Sequence, residues 1–157
     1  MTLRTLGQSD LRITPIGIGA WAIGGGKWEF GWGPQDNEES IAAIRAGLDR
    51  GMNWIDTAAV YGLGHSETVV GRAIEGLSTR PHIFTKCSLV WDKAGKISHN
   101  LQAASIRREA YAARSAVRRS QAGSVRGATD PADRGTEERR WRPLSTRRES
   151  RSSPKPF

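Results

Sequence analysis

Residues able to build a hydrophobic core run out well before this chain ends. Beyond about Ala110, only Val117, Val125, Leu144 and Phe157 are Leu, Ile, Val or Phe. That share lies well below the roughly 20% under which a charged segment is read as disordered. Any packed fold is therefore expected within residues 1–110, and residues 111–157 are expected to form a basic, Arg/Ser-rich disordered tail. Charge changes at the same point. The first 110 residues hold 12 Lys/Arg against 11 Asp/Glu, and the last 47 hold 12 against 5, so +7 of the net +8 belongs to the tail. The basic character is thus a property of the tail, not of the expected fold.

Length limits the chain to a single domain with a small core. Cys87 is the only cysteine, so no intrachain disulfide can form and a reducing compartment is expected. Met1–Asp10 has no apolar signal-like run, and no window approaches the roughly 18 apolar residues that span a bilayer. The expected location is cytoplasmic, without membrane contact.

Within residues 1–110 the pattern alternates between strand-like and helix-like stretches. Leu3–Leu6 and Leu11–Ile13 flank a Gly-Gln-Ser-Asp turn and predict a small hairpin. Pro15–Gly19 suits a buried strand. Ala20–Gln35 is rich in glycine and tryptophan and predicts a long loop. Asp36 and Glu39 form a capping box. Ile41, Ile44 and Leu48 continue it as one helix face, and Gly51 ends the helix. Asn53–Asp56 predicts the next strand. Ser66 is expected to cap a second helix carrying Val69, Val70, Ala73, Ile74 and Leu77 on one face. His82–Lys86 predicts a third strand, and Ile97–Ala110 a third helix capped near Ser98. Repeated βα units of this kind imply a parallel sheet with right-handed crossovers.

This order places chemistry at one edge of the sheet. One strand ends in Asp56, the following loop carries Tyr61, and a later strand ends in Lys86. Carboxylate, phenol and ammonium then lie at the C-terminal ends of successive parallel strands, the face where such folds do chemistry. A tyrosine beside a lysine is a proton donor with a lowered pKa, because the cation favours the phenolate.

The residues that carry these features resemble the aldo-keto reductase family. The matching stretches are Arg4–Gly7 with Ile16–Trp21, Gly51–Ala58, Tyr61-Gly62 with Ser66-Glu67, and Phe84–Cys87. Together they cover about residues 3–110. The resemblance implies an α/β fold built as part of a (β/α)₈ TIM barrel, with an N-terminal hairpin and about three βα units of the eight. It implies NADP(H) as cofactor and a small carbonyl compound as substrate. Tyr61 would protonate the carbonyl oxygen, Lys86 would assist Tyr61, and Asp56 would hold Lys86. Gly19, Ala20 and Trp21 would lie near the nicotinamide, and Asp56 near the cofactor ribose. The family's fourth group, a histidine at the end of the fourth strand, has no counterpart in the match. Nor does the half of the barrel that grips the adenine end. Little or no turnover is therefore expected of the chain itself. A shifted reading frame or a misplaced gene end is the expected origin of the tail, with a genuine disordered tail as the alternative.

Other readings carry less. Gly17–Ala22 fits G-x-G-x-x-A, but that dinucleotide fingerprint needs a helix to open at once, and here a glycine run follows. His65 follows Tyr61 closely, yet reads as a solvated loop residue. His82 begins its strand and so faces away from Lys86. His99 reads as an exposed residue in a helix's first turn. No His/Cys/Asp spacing suggests a metal site. The arginine tail suits a non-catalytic alternative, a basic fragment binding acidic partners, but no module for specific nucleic-acid recognition is visible.

Overall fold

The structure, a computed structural model, describes residues 2–119. Most of the predicted tail, with its suggested hold on acidic partners, lies outside these residues. The chain opens with an antiparallel pair, β1 (Arg4–Thr5) and β2 (Arg12–Ile13), joined across the expected turn. Next come the three strands that organise the fold: β3 (Ile18–Gly19), β4 (Trp54–Asp56) and β5 (His82–Phe84). They form a parallel sheet in the order β3-β4-β5. The register sets Gly19 beside Asp56 and Asp56 beside Phe84. All three strands thus end on one level, and the residues that follow them emerge together.

Helix α1 (Asn37–Asp49) begins where the capping pattern predicts. Asp36 is extended, and its side chain accepts the Glu39 backbone N–H at 2.8 Å. Ile41 and Ile44 turn inward and are buried. Helix α2 (His65–Ala73) presents Val69, Val70 and Ala73 to the same core, and Ile74 follows them. Ile55 from the central strand is fully buried between these faces. Burial of a side chain of this size contributes about 1.5–3 kcal/mol, so this small set of apolar residues carries most of the packing that holds the helices on the sheet.

Two expectations require correction here. Ser66 does not cap α2; the cap is Gly64, in the left-handed region at φ 96°. Gly62, Leu63 and Gly64 all have positive φ, and this tight run turns the chain before the helix starts. Ser66 then falls in the first turn facing the interior, where its hydroxyl has other partners. The second correction concerns Ile97–Ala110. Leu89–Trp91 (β6) and Ile97–His99 (β7) form an antiparallel hairpin instead. Its turn is made by Asp92, whose carboxylate accepts the N–H groups of Ala94 and Lys96 at 2.9 and 3.0 Å, and by Gly95 at φ 80°. A left-handed glycine closing such a loop is a standard hairpin solution. The helix α3 starts later and runs further, Ala103–Arg119, straight across the break in composition at Ala110. Ala113 is buried, and Val117 packs against the main core.

Candidate active site

The end of the sheet gathers the predicted residues. Lys86 stands two positions beyond β5. Its Nζ donates to Asp56 Oδ2 at 2.8 Å and to the Thr57 carbonyl at 2.9 Å. The same nitrogen lies 4.9 Å from the centre of the Tyr61 ring, within the range of a cation–π contact. Burial alone would push the Lys86 pKa down. The hydrogen bond and charge of Asp56, with a further contribution from the nearby Tyr61, outweigh it and leave the pKa raised. Lys86 is therefore held as an ammonium between a carboxylate and a phenol.

Tyr61 is fixed by its surroundings. It is buried, and its ring lies 5.2 Å from that of Trp21 and 5.9 Å from that of Trp28. The loop that carries it meets the Trp21–Gly25 turn backbone to backbone. A methyl group added at Gly62 would sit 2.2 Å from the Gly24 carbonyl oxygen, and Gly62 itself has φ 62°. Only glycine satisfies both the close approach and the left-handed backbone. Below, Ser66 Oγ donates to the Ala20 carbonyl at 2.8 Å and shares a 3.0 Å bond with Thr57 Oγ1, all in the interior. This pair ties α2 to the loops that follow β3 and β4. Glu67, next in the chain, is buried with one oxygen taking the Thr85 hydroxyl at 2.7 Å. Burial raises its pKa, and the Thr85 bond offsets only part of that.

A cleft of about 490 Å³ opens beside Tyr61 and Lys86. Its walls are mainly apolar: Trp21, Trp28, Phe30, Val60 and Leu89. A mostly apolar concavity with a few polar groups is the usual form of a small-molecule site. Of the residues expected near a nicotinamide, Ala20 is buried and its N–H donates to the Asp56 carbonyl at 2.9 Å, which ties the two strand ends. Trp21 lines the cleft, and Gly19 leaves open space where a side chain would stand. An aromatic wall, open backbone and a carboxylate at one strand level fit the nicotinamide end of a dinucleotide. No group for its adenine end is identified among the described residues.

His82 begins β5 as expected, but the other two histidines fall in different settings from those expected. His65 is half-buried, and its Nε2 is 2.8 Å from Asn37 Oδ1. It borders a separate cleft of about 510 Å³ beside the glycine run Gly24–Gly26, not the one with Tyr61. His99 is exposed as expected, but it stands on β7 and lines the Tyr61 cleft. The signal missed was the strand-like Leu89–Trp91, followed by an Asp-x-x-Gly turn. Among the described residues, no three His, Cys, Asp or Glu side chains gather as a metal ion would need. No described helix is long and apolar enough to cross a membrane.

Comparison with known proteins agrees with this geometry. The model of the aldo/keto reductase family matches residues 15–125. An aldo-keto reductase of Bacillus subtilis (strain 168) is 41% identical over 93 residues, which is 58% of this chain and 27% of that protein. The NADH-specific methylglyoxal reductase of Escherichia coli (strain K12) is 36% identical over 118 residues, 68% of this chain and 35% of that one. Among solved structures, the glycerol dehydrogenase of Gluconobacter oxydans superposes with a TM-score of 0.63 at 37% identity, covering 74% of this chain and 36% of that one. An aldo-keto reductase of Klebsiella pneumoniae, solved in complex with NADPH, gives a TM-score of 0.52 at 29% identity, covering 68% of this chain and 32% of the other. The chain thus spans about a third of the length of the relatives it matches. With the match, the parallel βα units and the clustered strand ends in agreement, this chain belongs to the aldo/keto reductase family.

Proposed function

We propose that this chain carries the proton-donating site of an oxidoreductase that reduces an aldehyde or ketone with NADPH. One observation carries the reading: Lys86, bonded to Asp56, is held against the Tyr61 ring at the mouth of an aromatic cleft. The relatives named methylglyoxal reductase and glycerol dehydrogenase support chemistry between carbonyls and alcohols. The NADPH complex of a related reductase supports the cofactor.

When bound, the nicotinamide supplies the hydride. Trp21, Asp56 and the open backbone at Gly19 would hold its reactive end. Tyr61 is the general acid and gives its phenolic proton to the carbonyl oxygen. Lys86 stabilises the negative charge left on the ring, an electrostatic role that a nearby fixed cation fills well. Asp56 and the Thr57 carbonyl keep that cation in position at the cleft. The aromatic walls exclude water from one side of the carbonyl, which strengthens each of these interactions.

The test uses the full chain with NADPH and a generic aromatic aldehyde, following the loss of NADPH absorbance. Turnover is expected to be slow, because positioning both reactants is worth about 7–11 kcal/mol and no adenine site is identified among the described residues. It is expected to fall by about 10²-fold or more in Tyr61→Phe, the usual contribution of a positioned general acid. Measurable turnover that is equal in the two proteins would reject the reading.

A further inference from the structure

The β6–β7 hairpin is a wall of the Tyr61 cleft, and its inner face can be identified from its pairing. In an antiparallel pair, residues directly opposite each other share a face. Leu89 faces His99, and Trp91 faces Ile97. Leu89 and Ile97 both pack on the cluster of Ala58, Val60 and Tyr61. The face that meets Tyr61 is therefore Leu89, Trp91, Ile97 and His99, and Val90 and Ser98 turn away. His99 is the one polar side chain on an otherwise apolar face, and it lines the cleft together with Tyr61 and Lys86.

The base of the hairpin is firmly held. Ser88 has φ 98°, a costly backbone for a residue other than glycine. Its N–H donates to Glu109 Oε2 at 2.9 Å, and its carbonyl accepts the Asn100 N–H at 2.7 Å. Glu109 Oε1 is itself bonded by Ser105 at 3.1 Å. These contacts fix the first paired row, Leu89 and His99, relative to Lys86, which lies three residues before Leu89. Lys86 already has two oxygen partners. An imidazole on this wall can donate or accept, and no hydrogen bond engages it among the described residues.

We propose that His99 is a specificity-determining residue of this cleft: it hydrogen-bonds a second polar group carried next to the substrate carbonyl. The preferred ligands are then α-hydroxycarbonyl or dicarbonyl compounds over simple ketones of the same size. The inference rests on reading the cleft as a carbonyl-substrate site, and it is tested by binding so that the two can fail separately. Dissociation constants of 2-hydroxyacetophenone and acetophenone are measured by ligand-observed NMR on the full chain, its His99→Ala, His99→Phe and His99→Gln variants, and Tyr61→Phe. The unaltered chain is expected to bind the hydroxyketone about fivefold more tightly, the worth of one net hydrogen bond of about 1 kcal/mol. His99→Ala and His99→Phe should bring that ratio to about one while leaving acetophenone binding within about twofold. His99→Gln should retain most of it, and Tyr61→Phe should weaken both ketones together. An unchanged ratio in the His99 variants, a ratio near one in the unaltered chain, or no saturable binding of either ketone would overturn the assignment. A ratio lost on changing His99 in a chain whose NADPH oxidation is indifferent to Tyr61→Phe would keep this inference and reject the reductase reading. Turnover dependent on Tyr61 with a ratio indifferent to His99 would do the reverse.

Discussion

Glu67 shows how a single buried residue sets a pH dependence for the whole fold. Its carboxyl is enclosed, with Thr85 as its hydrogen-bond donor, and burial raises its pKa above the ordinary glutamate value. An unfolded chain therefore gives up this proton at a lower pH than the folded one. Between those two values the folded state binds more protons, so stability falls as pH rises through that window and stays lower above it. Glu67→Gln keeps an oxygen for Thr85 and removes the charge. It is expected to melt at a higher temperature than the unaltered protein at neutral pH, with the advantage disappearing below the ordinary glutamate range. Thermal melts followed by circular dichroism across that range check it. A variant that melts lower at neutral pH would mean that the ionised form is stabilised in place. The same residue marks what sequence could not supply. Ser66-Glu67 was legible as part of a family block, but a hydroxyl that turns inward and a carboxyl that loses water depend on neighbours brought in from β3, β4 and β5.

At the scale of elements, the loop that carries Tyr61 and the turn that follows β3 meet through glycine backbones. Gly62→Ala would bring a methyl group against the Gly24 carbonyl and force a side chain into the left-handed region. Gly7 offers a control, since it has φ 57° but open space around an added methyl. Gly7→Ala is expected to cost about 1–2 kcal/mol from backbone conformation alone. Gly62→Ala should cost clearly more, and it should also shift the tryptophan near-ultraviolet circular dichroism as Trp21 and Trp28 move away from Tyr61. Chemical denaturation of both variants tests the comparison, and equal costs would mean that the contact yields freely. Elements with strong local signals were legible in advance. The Asp36 cap, the spacing of Ile41 and Ile44, and the run into Asp56 each fix their own conformation from nearby residues. The Leu89–His99 hairpin was missed because Ile97–Ala110 contains apolar residues that also satisfy a helical period. The Asp92 side chain settles the choice by binding two backbone N–H groups at the turn. Asp56, Tyr61 and Lys86 were legible through their spacing on βα units. The place of His99 was not, because it follows from that hairpin.

At the scale of the described molecule, the parallel sheet has β4 in the middle and β3 and β5 at its borders. The amides of His82 and Thr57 are bonded within the sheet at 2.8 Å each. Alternation along a strand turns the Ile83 amide the other way, toward the border where no described strand pairs with it. Ile83 is expected to exchange its amide hydrogen much faster than His82 or Thr57 under native conditions, as read by NMR. Equal protection would mean that another segment covers this border. The site itself is drawn from one continuous stretch, from Gly19 through His99, with each successive unit adding one wall or one group to those already present. During synthesis the chain therefore encounters its own chemistry in order: first the tryptophans, then the carboxylate and the phenol, then the ammonium, and last the hairpin that faces them. Domains generally fold as units, so the cleft is complete only once its last wall, the hairpin, has been translated.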